Sequence, residues 1–231
     1  MANEVKSASV TYPSGTATSG GVLAEPGGSG PFPSLILIHE WWGVNDQIKG
    51  VTRQFAEQGY VTLAIDLYQG KIARDREEAQ GLSQSLSKER ALADMRAGMA
   101  FLKARPNVQR DKIGSLGWCM GGGYSLLLAM TSPELAAGVV YYGIVTSDPE
   151  QLRPISCPLL GIFGEDDPVV PVADVKAFER VMKGLNKDIT VHIYSGAGHA
   201  FANPTNTPGY RPEAAKDAWD KTLAFLGRHL K

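Results

Sequence analysis

Hydrophobic residues fall along this chain in short, nearly unbroken runs. Between the runs they recur at every third or fourth place. The runs are SLILIH (34–39), YVTLAID (60–66), KIGSLGW (112–118), GVVYYG (138–143), PLLGIF (158–163) and ITVHIY (189–194). Continuous rather than alternating runs of this length predict strands buried on both faces, the condition of a parallel sheet. In the intervening stretches Leu92, Met95, Met99 and Leu102 step by three and four, as do Trp219, Leu223, Leu226 and Leu230. That spacing predicts helices with one apolar stripe and assigns their Met and Trp side chains to core packing. Alternating strand and helix demand right-handed crossovers. The expected fold class is therefore α/β, a mostly parallel, doubly wound sheet with helices on both faces. Residues 5–24, polar and β-prone around YPSG and TSGG, predict an amino-terminal edge hairpin, and EPGGSGPFP (25–33) predicts a loop. The charged segment 69–90 is expected to begin as a loop lying over the sheet.

Composition narrows the classes. A chain of 231 residues suits one large α/β domain spanning 1–231. With 43% hydrophobic and 20% charged residues it can build a packed core. A net charge of -1 offers no basic surface for nucleic acid or an anionic membrane. The start MANEVKSASV lacks a basic stretch followed by an apolar one, so no secretory signal is expected, and no apolar run nears the ~20 residues that span a bilayer. Cys119 and Cys157 are too few for a disulfide framework, which points to a reducing cytoplasm. The expectation is a cytoplasmic monomer that acts on a small molecule, without nucleic-acid or membrane partners.

One of the two cysteines has an unusual setting. Residues 117–121 read Gly-Trp-Cys-Met-Gly, the pattern G-x-S-x-G with cysteine in place of serine. It follows a predicted strand and precedes a predicted helix, the context that motif requires. A strand reversing sharply into a helix strains the middle residue, and side chains two places to either side would collide, so both are glycine. The turn holds the nucleophile out at the carboxyl edge of the sheet, where the helix N-terminus offers free N–H groups to a developing negative charge. A buried structural cysteine in a glycine-rich turn is the plain alternative. A phosphate-binding loop fits poorly, because the segment has no G-x-G-x-x-G and no lysine.

A nucleophile of this kind needs a base and a group that orients the base. The chain has four histidines. His229 lies near the end of the last helix, and His192 lies inside a strand run. His39 ends the first core strand and could face the site. His199, in SGAGHAF beyond the last strand, lies at the carboxyl edge where open α/β sheets bind ligands. FGEDDPVVP places Asp166 and Asp167 at that same edge, and either could instead cap the helix that follows. The chain order cysteine, aspartate, histidine is that of α/β hydrolases. Cys157, before Pro158 at a strand start, reads as buried packing. No metal site is expected, since the histidines lack spaced ligand partners.

Together HEWWGVN (39–45), QGYVTLAIDLY (58–68), GWCMGGG (117–123), YYG (141–143), GEDDPVVP (164–171) and AGHAF (197–201) resemble the dienelactone hydrolase (carboxymethylenebutenolidase) family of α/β hydrolases. The resemblance runs from about residue 34 to the end. It implies an α/β-hydrolase fold, no cofactor, and a carboxylic ester hydrolase that opens a lactone through a cysteine nucleophile. It places Cys119, Asp167 and His199 in the triad, with Asp167 rather than Asp166 as the acid. It also implies that Glu40 holds the resting thiol as a neutral, inward-turned group, and that the backbone N–H groups of Trp41 and Met120 form the oxyanion hole. Two arginines hold the substrate carboxylate in the family. REEA (76–79) makes Arg76 the candidate for the first, and Asn203 stands where the second is expected. A neutral amide cannot replace a bidentate guanidinium. Weaker carboxylate affinity, or an uncharged ester as substrate, is therefore implied. Trp42 and Phe201, inside the same motifs, are the remaining expected substrate contacts. A thiol redox sensor or an acyl transferase are the rival readings. A sensor needs neither Asp167 nor His199, and no acceptor site for a transferase is evident.

Overall fold

The amino-terminal hairpin forms as expected, with β1 (Lys6–Ser14) and β2 (Ala17–Glu25) paired antiparallel. The computed structural model describes residues 4–231, so the first three residues of the stretch read for a leader lie outside the description. There follow β3 (Phe32–Ile38), α1 (Asp46–Glu57), β4 (Val61–Ile65), α2 (Arg76–Ser85), α3 (Lys88–Lys103) and β5 (Val108–Trp118). The chain continues through α4 (Met120–Thr131), β6 (Ala137–Tyr141), α5 (Pro149–Leu152), β7 (Leu159–Gly164), α6 (Val172–Gly184), β8 (Ile189–Tyr194) and α7 (Pro212–Leu230). The strands form one eight-stranded sheet in the order β1-β2-β4-β3-β5-β6-β7-β8. β2 meets β4 antiparallel, and every pairing from β4 through β8 is parallel.

The unbroken apolar runs are explained by burial on both faces. Ile36 and Ile38 of β3 point into one core with Met95 and Met99 of α3, Leu126 of α4 and Phe178 of α6. Leu35 and Leu37 point into the other, with Ile48 and Phe55 of α1 and Leu226 and Leu230 of α7. The pleat sends alternate side chains to opposite faces, so a strand covered by helices on both sides is apolar at most positions, with the small Ser34, Thr62 and Ser115 as buried exceptions. Side chains at the helix starts fix several ends. Asn45, Asp75 and Ser87 accept from the backbone N–H groups of Ile48, Glu78 and Arg90, and so cap α1, α2 and α3.

Segment 69–90 begins as a loop over residues 69–75 and then turns helical, with α2 at Arg76–Ser85. Ala79 is the one buried residue of that helix, so the apolar repeat that announces a helix is missing. It is held instead by its Asp75 cap, by acidic Glu77 and Glu78 in its first turn, and by the Arg74–Glu78 pair. No helix among the described residues is long and apolar enough to cross a membrane.

Candidate active site

β5 ends at Trp118 and α4 begins at Met120, which leaves Cys119 alone in the turn with φ 53° and ψ −117°. That is the left-handed half of backbone space, unfavourable for a side chain and kept only where its surroundings enforce it. The surroundings are close. A Cβ on Gly117 would overlap the carbonyl oxygen of Gly121, and one on Gly121 would overlap the carbonyl oxygen of Ile38 at the end of β3. The two glycines thus let the turn close and bring the start of α4 against the loop that follows β3. Tyr142 (φ 35°) and Ala200 (φ 58°) carry similar strain beside the same site.

The Cys119 sulfur lies 3.0 Å from Nε2 of His199. Nδ1 of His199 lies 2.8 Å from Oδ2 of Asp167. The other carboxylate oxygen of Asp167 accepts from the N–H groups of Val169 and Val170, at 2.7 and 3.0 Å. Asp167 is buried and Asp166 exposed, and Pro171 stands at the start of α6 without a side-chain cap. Neither aspartate caps that helix. Burial works against a charge on His199, but the hydrogen bonds to Asp167 and Cys119 outweigh it and raise its pKa to about 10.

Glu40 is buried next to this line, yet it does not hold the thiol. Its Oε2 accepts from Nδ2 of Asn203 at 2.7 Å, and its Oε1 accepts from the Tyr142 hydroxyl at 3.3 Å. The inward-turned thiol implied by the family resemblance is therefore not the state seen here, where the sulfur faces His199. Burial pushes the Glu40 pKa up, while the Asn203 bond, the His199 charge and the Tyr142 bond push it back. The Asn203 amide is oriented in turn by its Oδ1, which accepts from the Thr205 N–H at 2.9 Å and hydroxyl at 2.7 Å.

A cavity of about 580 Å³ opens on Cys119 and His199, with Trp41, Met120 and Tyr142 in its wall. Among the described residues, the backbone N–H groups of Trp41 and Met120 donate to no acceptor. None of the four expected substrate contacts lines this cavity. Arg76 is exposed at the first turn of α2, because that segment is helical and carries it outward. Asn203 is buried and spends its amide on Glu40. Phe201 is fully buried between Tyr142 and Tyr194. Trp42 braces Trp41 edge to face, with ring centroids 5.2 Å apart. His39 does not face the site either. Its Nδ1 donates to the Glu40 carbonyl and its Nε2 accepts from the Leu67 N–H, so it anchors the loop that carries Glu40 and Trp41. Burial holds its pKa down, in keeping with a neutral ring. Cys157 is buried, and burial raises its thiol to about 11.

Tyr142 is the site residue that sequence reasoning passed over. It binds Glu40, and its ring meets that of His199 edge to face at 5.4 Å. The available signal was its place one residue past β6, at the same carboxyl edge as Cys119.

The three side chains form one hydrogen-bonded line at the cavity wall, and comparison with known proteins identifies the family. The model of the dienelactone hydrolase family matches residues 20–230. A Synechocystis protein provisionally named a carboxymethylenebutenolidase is 31% identical, with both chains covered over their whole length. Protein usf of Aquifex pyrophilus is 33% identical over 91% of this chain and 93% of its own. The crystal structure of a provisionally named dienelactone hydrolase from Klebsiella pneumoniae superposes with a TM-score of 0.90 at 25% identity, covering 97% of this chain and 99% of that one. The chain accordingly belongs to the dienelactone hydrolase family, and is by that membership a carboxymethylenebutenolidase-like carboxylic ester hydrolase.

Proposed function

We propose that this protein opens activated esters or lactones through an acyl-thioester on Cys119. The observation that carries the reading is the hydrogen-bonded line Asp167–His199–Cys119, with its sulfur on the wall of the cavity. In this reading the His199 proton and the Cys119 sulfur form an imidazolium–thiolate pair. The thiolate attacks the carbonyl carbon, and the N–H groups of Trp41 and Met120 receive the oxyanion. The carbon–oxygen bond to the leaving group then breaks, and His199 gives its proton to the departing oxygen. Acylation removes the negative partner that helped raise the His199 pKa, so the ring stays neutral after giving up its proton and is free to accept another in the next step. It takes a proton from water, the hydroxide attacks the thioester, and the carbon–sulfur bond breaks. One water is consumed, and the acid and the thiolate are released.

The chemistry limits the substrate. A thiolate leaves more readily than an alkoxide, so the first adduct reverts unless the leaving group is a stabilised anion such as an enolate or phenolate. The carboxymethylenebutenolide named in the Synechocystis relative is a substrate of that kind. Mass spectrometry of enzyme quenched with acid during turnover of 4-nitrophenyl acetate is expected to show one acetyl group, on Cys119. Steady turnover with no such adduct would overturn the reading.

The His199 pKa also sets a pH dependence. The protonated ring is required for acylation, so kcat/KM is expected to fall as pH rises through about 10. Asp167 favours the protonated ring, and Asp167→Asn removes that charge. The alkaline limb should then move to lower pH, as read from a kcat/KM profile of the variant beside the parent.

A further inference from the structure

The wall of the cavity is apolar over most of its length. Met120, Tyr124, Leu127 and Met130 of α4 all line it. Their spacing puts them on one face of the helix, a stripe of about 15 Å leading away from the sulfur at the helix start. Ile144 and Val169 line it as well, and they are 70% and 51% exposed. With the α4 stripe they extend the apolar wall to the cavity mouth, the kind of concave apolar surface at which small molecules bind.

Three polar side chains of the wall are already engaged, while the Tyr124 hydroxyl and the Lys88 ammonium make no hydrogen bond or ion pair among the described residues. The Ser83 hydroxyl points to the Met120 sulfur, the Thr146 oxygen accepts from the Asp148 N–H, and Gln151 donates to the Asp148 carboxylate. No arginine lines the wall, and Lys88, exposed, is its only lysine. A bound carboxylate would therefore lose its water without a guanidinium to replace it.

We propose, on the basis of the acyl-thioester reading above, that this site takes an uncharged ester or lactone bearing an extended apolar group. That group lies along the α4 stripe under Ile144 and Val169. Burial of each methylene then raises kcat/KM about threefold to fourfold until the stripe is filled.

The test compares 4-nitrophenyl acetate, butyrate and octanoate with the 4-nitrophenyl half-ester of suberate, which matches octanoate but ends in a carboxylate. The expected result is a rise of about tenfold from acetate to butyrate, a further rise to octanoate, and at least about a tenfold loss for the half-ester. Ile144→Asp should flatten the rise. In parallel, octanamide should bind Cys119→Ala more tightly than acetamide does, by calorimetry. Flat or falling rates along the series, or preference for the half-ester, overturn the proposal. Loss of a half-ester preference in Lys88→Ala would then name the group that reads the charge. If no ester is turned over yet octanamide binds, the catalytic reading fails and the binding proposal stands.

Discussion

Cys119→Ala is expected to cut the turnover of an activated ester by about four orders of magnitude or more, while the protein stays folded. The loss is large because the sulfur makes and breaks the bond in every step of the proposed path. The variant keeps Trp41, Met120 and His199, so some binding and electrostatic help survive, but nothing forms the acyl intermediate. His199→Asn should fall almost as far, because the ring both stabilises the thiolate and moves the proton. Combining the two should cost little beyond either alone, since groups that act as a unit are not additive. Single-turnover kinetics with 4-nitrophenyl acetate, with thermal unfolding as a control, measures all three. A Cys119→Ala protein within about tenfold of the parent would exclude the thiol as nucleophile.

The second large effect is on the frame. Gly121→Ala is expected to destabilise the protein by at least about 3 kcal/mol, since the new Cβ meets backbone rather than a yielding side chain. For a chain of this size that lowers Tm by roughly 6–12 °C. The clash is with the Ile38 and His39 carbonyls, so relief requires α4 to back away from the end of β3. That would part the Met120 N–H from the Trp41 N–H, and activity should fall in the folded fraction too. Gly123→Ala is the control. Its Cβ would find nothing nearer than 3.6 Å, and an alanine inside a helix is favoured over glycine. Its Tm should hold or rise. Equal Tm values for the two variants would contradict the packing described here.

Much of this molecule is legible in its sequence. Strands β3 to β7 follow the apolar runs because burial on both faces leaves little room for polar residues, a local property of each segment, while β8 at the sheet edge has an apolar run with only Ile189 buried. The elbow at Cys119 was legible for a similar reason, since its glycines lie within two residues of the nucleophile. His199 and the pair Asp166 and Asp167 stood out by their places just past β8 and β7, because strand ends in a parallel sheet share one edge, and only the family resemblance singled out Asp167.

What only the tertiary structure decided is how side chains from distant segments divide the work at that edge. Glu40 and Asn203 are 163 residues apart, and nothing local says that the amide is spent on the carboxylate rather than on substrate. Arg76 was displaced by a helix whose stability comes from capping and charge rather than from an apolar repeat. His39, at a strand end like the others, is turned away by a carbonyl and an N–H that the fold supplies. Residue type and turn chemistry are encoded within a few positions of the chain. Which polar group meets which depends on the packing of whole elements, and that pairing determines how the site binds.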